Sequence, residues 1–192
     1  MHKKALIAGI GAIFCWSLMV GFLRLTTVNY GPELGIALIY TLGAVFLFLL
    51  DKPTPFKKIP RRYLLIGGAL FATYELFMAF AVGLAQDSFQ AIEVSILNYL
   101  WPTLTVLFWA VARKSGRAPA LFRVIPGAVF ATAGIVLAVG GSSLLAGAPF
   151  FTGSLWPYLL AISASIIWAI YSVATPRVAC GSNCLLYTSP SP

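Results

Sequence analysis

The sequence predicts an all-α integral membrane protein with six transmembrane helices. Three observations predict it. Of its 192 residues, 60% are hydrophobic and only 9% charged, against about 25% charged in an ordinary soluble domain. The apolar residues gather into runs long enough to cross a hydrocarbon core of about 30 Å as helices. Twelve of the thirteen Lys and Arg residues fall in every second gap between those runs, which is the positive-inside pattern of a multi-pass protein.

The formal charge of +8 therefore reports topology. The basic residues are spread over four short gaps and not over one soluble face, so no nucleic-acid partner is expected. With the basic gaps inside, both termini are cytoplasmic. A bacterial inner (plasma) membrane is the simplest setting, and the lipid bilayer is the first partner.

The first span is read as Ala5–Arg24, behind Lys3 and Lys4. Its start resembles a secretory signal, but the apolar run continues to Leu23 and no small-x-small cleavage site follows, so it is expected to remain. The second span is Leu34–Leu50, followed by the basic gap of Lys52, Lys57, Lys58, Arg61 and Arg62. The third is Tyr63–Leu84 and the fourth Phe89–Ala112. A second basic cluster (Arg113, Lys114, Arg117 and Arg123) leads to Phe122–Gly141 and Leu155–Thr175, and Arg177 follows the last span. No charged residue lies between Val124 and Pro176. The other gaps hold only Arg24, Glu33 and Asp87 or no charge. Small residues recur at four-residue spacing: Ala8 and Ala12, Gly127 and Ala131, and Ala161, Ser165 and Ala169. Such stripes let helix backbones approach closely in lipid.

Enzyme chemistry has no support in the residues. His2 is the only histidine, and no nucleophile–base pair, Gly-rich phosphate loop or zinc pattern is present. Cys15 lies inside a span, while Cys180 and Cys184 follow the last one. Their spacing predicts neither a metal site nor a disulfide. No metal and no cofactor are expected.

Spans one and six share a pattern. Ile13 to Leu18 and Ile166 to Ile170 each place a Trp (Trp16, Trp168) about halfway along, before a small residue. The second copy lies five helices on from the first, and an odd step inverts it. Inverted repeats with a midplane site are a transporter signature. Residues 1–141 are accordingly read as one five-helix unit. Residues 142–183 are read as a linker and the first helix of a second unit, of which four helices should follow. Residues 184–192 read as a translated sequencing-adapter string, not as protein.

A carboxylate inside lipid is expensive and therefore a functional candidate. Glu75 lies ~18 Å into its span and Glu93 only ~6 Å below the outer surface. There Glu93 can reach water, headgroups or the helix dipole. Both are possible coupling carboxylates, and no Lys or Arg is available at the depth of Glu75. Trp156, Tyr158, Tyr30 and Tyr63 fit the interfacial aromatic belts. Trp16, Trp101, Trp168 and Tyr74 do not, since they share the depth of Glu75. A single such aromatic usually fills core space, but three indole N–H groups at one level each need a partner. Finally, in Asn98-Tyr99-Leu100-Trp101-Pro102, Pro102 is a helix break that frees the Asn98 carbonyl. Irregular backbone at that depth is tolerated where protein or a water-filled cavity covers it.

These segments resemble the drug/metabolite transporter superfamily in its EamA-type branch. The likeness is carried by Trp16-Ser17 with Met19-Val20-Gly21 and Arg24, by Gly31-Pro32, Ile39-Tyr40 and Tyr74-Glu75, and by Gln90 to Val94 leading into Asn98 to Pro102. Ile167-Trp168-Ala169 adds to it. It covers most of residues 5–183. The resemblance implies ten helices in two inverted five-helix repeats, with export of aromatic amino acids through a central cavity. By that likeness Trp16, Tyr40, Tyr74, Glu75, Tyr99, Trp101 and Trp168 are cavity residues. The chain departs from the family in lacking the last four helices.

The expected activity is alternating-access export of aromatic or other apolar amino acids and related metabolites, by a protein that is monomeric at full length. In this reading aromatic walls stack the side chain and Glu75 or Asn98 holds the polar end. One rival is a proton-coupled exporter of drug-like cations with Glu75 as the coupling carboxylate. Another is a six-helix scaffold with no transport of its own. An inverted homodimer is disfavoured, because the charge bias fixes a single orientation.

Overall fold

The computed structural model describes residues 2–50, 59–113, 115–147, 151 and 153–178. Lys52, Lys57, Lys58, Lys114, Cys180, Cys184 and the adapter-like string lie outside the described residues. Among the described residues all regular structure is helical. The elements are α1 (His2–Tyr30), α2 (Pro32–Leu50), α3 (Gly68–Gly83, opened by a π-helical turn over Tyr63–Gly67), α4 (Ser88–Asn98), α5 (Leu100–Val111), α6 (Arg117–Ala146) and α7 (Trp156–Val178). Among the described residues six stretches are long and apolar enough to cross a membrane. They are Gly9–Tyr30, Pro32–Leu50, Tyr63–Gly83, Ser88–Val111, Arg117–Gly141 and Trp156–Pro176. Each overlaps one of the six expected spans.

The largest boundary difference is at the first span, which runs on to Tyr30 and does not stop at Arg24. Arg24 stays helical because its guanidinium has a partner: it donates to the Val82 carbonyl at 2.6 Å. That carbonyl belongs to the last turn of α3, where the helix leaves its own acceptors unfilled. α1 then ends on Gly31 at φ 81°, whose N–H bonds the Thr27 carbonyl at 2.9 Å. This left-handed position suits glycine. Pro32 starts α2 at once, a first-turn site that needs no N–H.

The fourth span is two helices. The Asp87 carboxylate caps α4 by accepting the Gln90 N–H at 2.7 Å, an N-cap bond. α4 ends at Asn98, and the Tyr99 N–H turns back to the Ile96 carbonyl at 2.9 Å. Pro102 is thereby the third residue of α5, where its missing donor costs no helical bond.

α3 is the central helix, with α1, α2, α4 and α7 packed around it, while α6 lies outside against α4 and α5. One apolar cluster joins Leu23, Ile36, Met78, Val82, Ala91 and Ala164. Small residues make the closest approaches. A Cβ on Gly83 would stand 2.7 Å from Pro32 Cγ, and one on Gly35 would stand 3.1 Å from the Thr27 backbone. Of the small-residue stripes, Ala161, Ser165 and Ala169 are fully buried in α7. Ala12, Gly127 and Ala131 are exposed, so those stripes make no close approach among the described residues.

Candidate functional site

The π-turn and α3 bring Tyr74 to one side of α1 and Glu75 to the other, since successive helical residues stand about 100° apart. Two clefts result. The first lies between α1, α3 and the α4–α5 break. Trp16, Tyr74, Asn98, Tyr99 and Trp101 line it together with Met19, Leu23 and Ser95, around a space of about 50 Å³. The Asn98 side-chain amide donates to the Tyr74 hydroxyl at 3.2 Å, and its carbonyl oxygen is buried without a partner. Trp16 and Tyr99 leave 60% and 61% of their surface open. The cleft is therefore one wall of a site and not a closed pocket.

Trp168 stands behind this wall. Its ring centroid lies 4.5 Å from that of Tyr74 and 6.2 Å from that of Trp101, edge to face. Phe71 and Tyr171 extend the cluster at 6.1 and 5.0 Å from Trp168. Neither was singled out from the sequence. Helical spacing could have found both, since Phe71 precedes Tyr74 and Tyr171 follows Trp168 by three residues, which puts each pair on one face.

The second cleft lies between α1, α2 and α3 and encloses about 330 Å³. Tyr40 and Glu75 line it among Met19, Leu23, Ile36 and Leu47. Glu75 is only 8% exposed, and the Tyr40 hydroxyl meets its carboxyl. Tyr40 and Glu75 are thus separated by α1 from the Trp16–Asn98–Trp101 wall.

Three expectations are corrected. Glu93 does not reach water or headgroups: it is 2% exposed, and the Tyr158 hydroxyl donates to its Oε2. Tyr158 and Tyr63 are not belt residues, being fully or almost fully buried, whereas Trp156 and Tyr30 are exposed as a belt requires. A buried Tyr needs a partner for its hydroxyl, and for Tyr158 that partner is the carboxylate. Beside this pair the Gln90 side chain, also buried, donates to the Ser154 carbonyl at 2.9 Å. Together they fix the start of α4 to the start of α7.

No group of three or more His, Cys, Asp or Glu able to hold a metal occurs among the described residues.

Neither a family model nor a solved structure matches the chain. Three curated proteins do, each named an aromatic amino acid exporter YddG. The Escherichia coli K12 protein is 38% identical over 186 residues, covering 95% of this chain. The Salmonella typhimurium protein is 36% identical over 184 residues, covering 94%, and that of Ancylobacter novellus is 33% identical, covering 93%. The likeness read from the residues thus extends over almost the whole chain. The chain spans 60–62% of the length of these relatives.

Proposed function

We propose that the chain is part of a membrane exporter that moves aromatic or other apolar amino acids out of the cell by alternating access. In this reading α1 to α6 form one five-helix repeat and α7 opens an inverted second one. Six helices of ten agree with the share of the relatives' length that the chain spans. The basic gaps face the cytoplasm. The observation that carries the proposal is the convergence of Trp16, Tyr74, Asn98 and Trp101 on one cleft, backed by Trp168. Flat aromatic walls bind an aromatic side chain by offset or edge stacking. The unpartnered side-chain carbonyl oxygen of Asn98 and the backbone carbonyls of the last turn of α4, which end at Asn98, offer acceptors to an ammonium group. The relatives' names support aromatic amino acids as the substrate class.

The test is efflux from cells expressing the full-length gene product and loaded with labelled phenylalanine. Efflux no faster than from empty-vector cells sinks the proposal. A second reading rests on Glu75, a carboxyl enclosed in an apolar cleft with Tyr40. There it is a proton-coupling group for export of a drug-like cation. Glu75→Gln then abolishes proton-driven uptake into inverted vesicles. Unchanged, pH-independent transport by that variant removes this reading.

A further inference from the structure

The aromatic wall has a continuation toward the basic end that the export reading leaves unused. On α5, Thr105 and Trp109 follow Trp101 at four-residue spacing. On α7, Ser172 and Pro176 follow Trp168 in the same way, so each row stays on one helix face. The two rows face each other. Thr105, Val106, Trp109, Ser172, Val173 and Pro176 line a cleft of about 360 Å³, within the range of small-molecule sites, about 300–1,000 Å³.

Its polar groups are acceptors along its length, and one cation stacks on its lining residue Trp109. The Thr105 hydroxyl donates to the Trp101 carbonyl at 2.7 Å and the Ser172 hydroxyl to the Trp168 carbonyl at 2.8 Å. Each hydroxyl oxygen still has lone pairs to accept with. Pro176 lies inside α7 and has no N–H for the Ser172 carbonyl, which loses its helical donor. On Trp109, one of the lining residues, the exposed Arg113 guanidinium sits 4.9 Å from the ring centre, a cation–π arrangement. Arg113 also donates through Nε to the Ser115 carbonyl at 3.3 Å, which leaves its terminal nitrogens for a ligand.

Resting on the export reading and its orientation, we propose that this α5–α7 cleft is the cytoplasmic approach by which a zwitterionic aromatic amino acid reaches the Trp101–Trp168 pair. Arg113 draws in the carboxylate, the Trp109 ring takes the side chain, and the Ser172 carbonyl with the two hydroxyl oxygens receives the ammonium. Charge complementarity favours this occupant over a lipid chain. Hydrocarbon would leave the freed carbonyl unsatisfied, which is costly in lipid.

The test uses the full-length gene product in inside-out vesicles, with native cysteines replaced by serine. Thr105→Cys, and Val173→Cys as an independent position on the facing helix, are exposed to a charged thiosulfonate from the cytoplasmic side. The reagent needs a thiolate and therefore water. Labelling at either position, slowed severalfold by phenylalanine but not by glutamate, is the expected result. No labelling at both positions means a lipid-filled groove and overturns the inference, as does labelling that phenylalanine leaves unchanged. In transport, Arg113→Gln should raise the half-saturating cytoplasmic phenylalanine concentration about tenfold, the scale of one charge-assisted hydrogen bond. Most of the loss should fall there and not in the maximal rate. If the unsubstituted protein moves no phenylalanine, the export reading fails instead. The labelling pattern still decides whether the cleft is water-filled and takes the amino acid.

Discussion

The Tyr158 hydroxyl donates to the buried Glu93 carboxylate, tying the first turn of α7 to the middle of α4. Removing the donor leaves that carboxylate with one partner fewer, at a cost of about 1–3 kcal/mol. Tyr158→Phe should therefore lower the melting temperature of the detergent-solubilised protein by several degrees. Glu93→Gln keeps an acceptor for the hydroxyl and should lower it less. Equal melting temperatures for Tyr158→Phe and the unsubstituted protein would remove this pair as a clamp.

Gly35 and Gly83 are close-approach sites, whereas a Cβ on Gly43 meets nothing within 4 Å. Gly35→Val should be destabilising by about 1–3 kcal/mol, because the rigid neighbour is backbone. Gly43→Ala should be neutral or slightly stabilising, since Ala is the better helix former. Thermal unfolding of the two variants side by side checks the contrast.

Trp168 fills the space between Tyr74, Trp101, Phe71 and Tyr171. Trp168 is half-buried, so its replacement by Ala should destabilise the fold by less than about 3–5 kcal/mol, the range for a fully buried Trp. Trp168→Phe should fold and still transport, with a raised half-saturating phenylalanine concentration. Full activity of Trp168→Ala would show that the cluster is not part of the binding wall.

Asn98 is the polar member of the aromatic wall. Asn98→Leu should weaken phenylalanine binding about tenfold, the value of one hydrogen bond to a charged group. Tyr74→Phe, which removes only the partner of the Asn98 amide, should weaken it less. Ligand-induced shifts in melting temperature rank the two variants without a transport assay.

Hydropathy and charge placed all six spans, because membrane insertion is decided by sums over some twenty residues and tolerates local irregularity. Depth was legible too: counting residues from the span ends placed Trp16, Tyr74, Trp101 and Trp168 at one level, and the structure packs Trp168 on Tyr74 and Trp101. Direction around each helix was not legible. Depth alone put Tyr74 and Glu75 together, although neighbours in sequence point into different clefts. The same gap explains Tyr158 and Tyr63, whose height fits a lipid belt but whose side chains turn inward. Arg24 lies at the end of the first expected span, Ala5–Arg24, and yet the helix continues past it. Its partner is a carbonyl at the far end of α3, which no local pattern in α1 announces.

The interruption at Tyr99 bears on how the protein is made. α4 has 11 residues and α5 has 12, about 16 and 18 Å at 1.5 Å per residue. Neither alone crosses a core of about 30 Å. The insertion machinery must therefore accept both as one segment, with the irregular backbone of the break already inside. α6 and α7 each pack along both halves, and they leave the ribosome one and two elements later. The fourth span thus gains its first covering helix with α6 and its second with α7, and a pause in translation straight after α5 prolongs the stage at which the break lies bare in the bilayer.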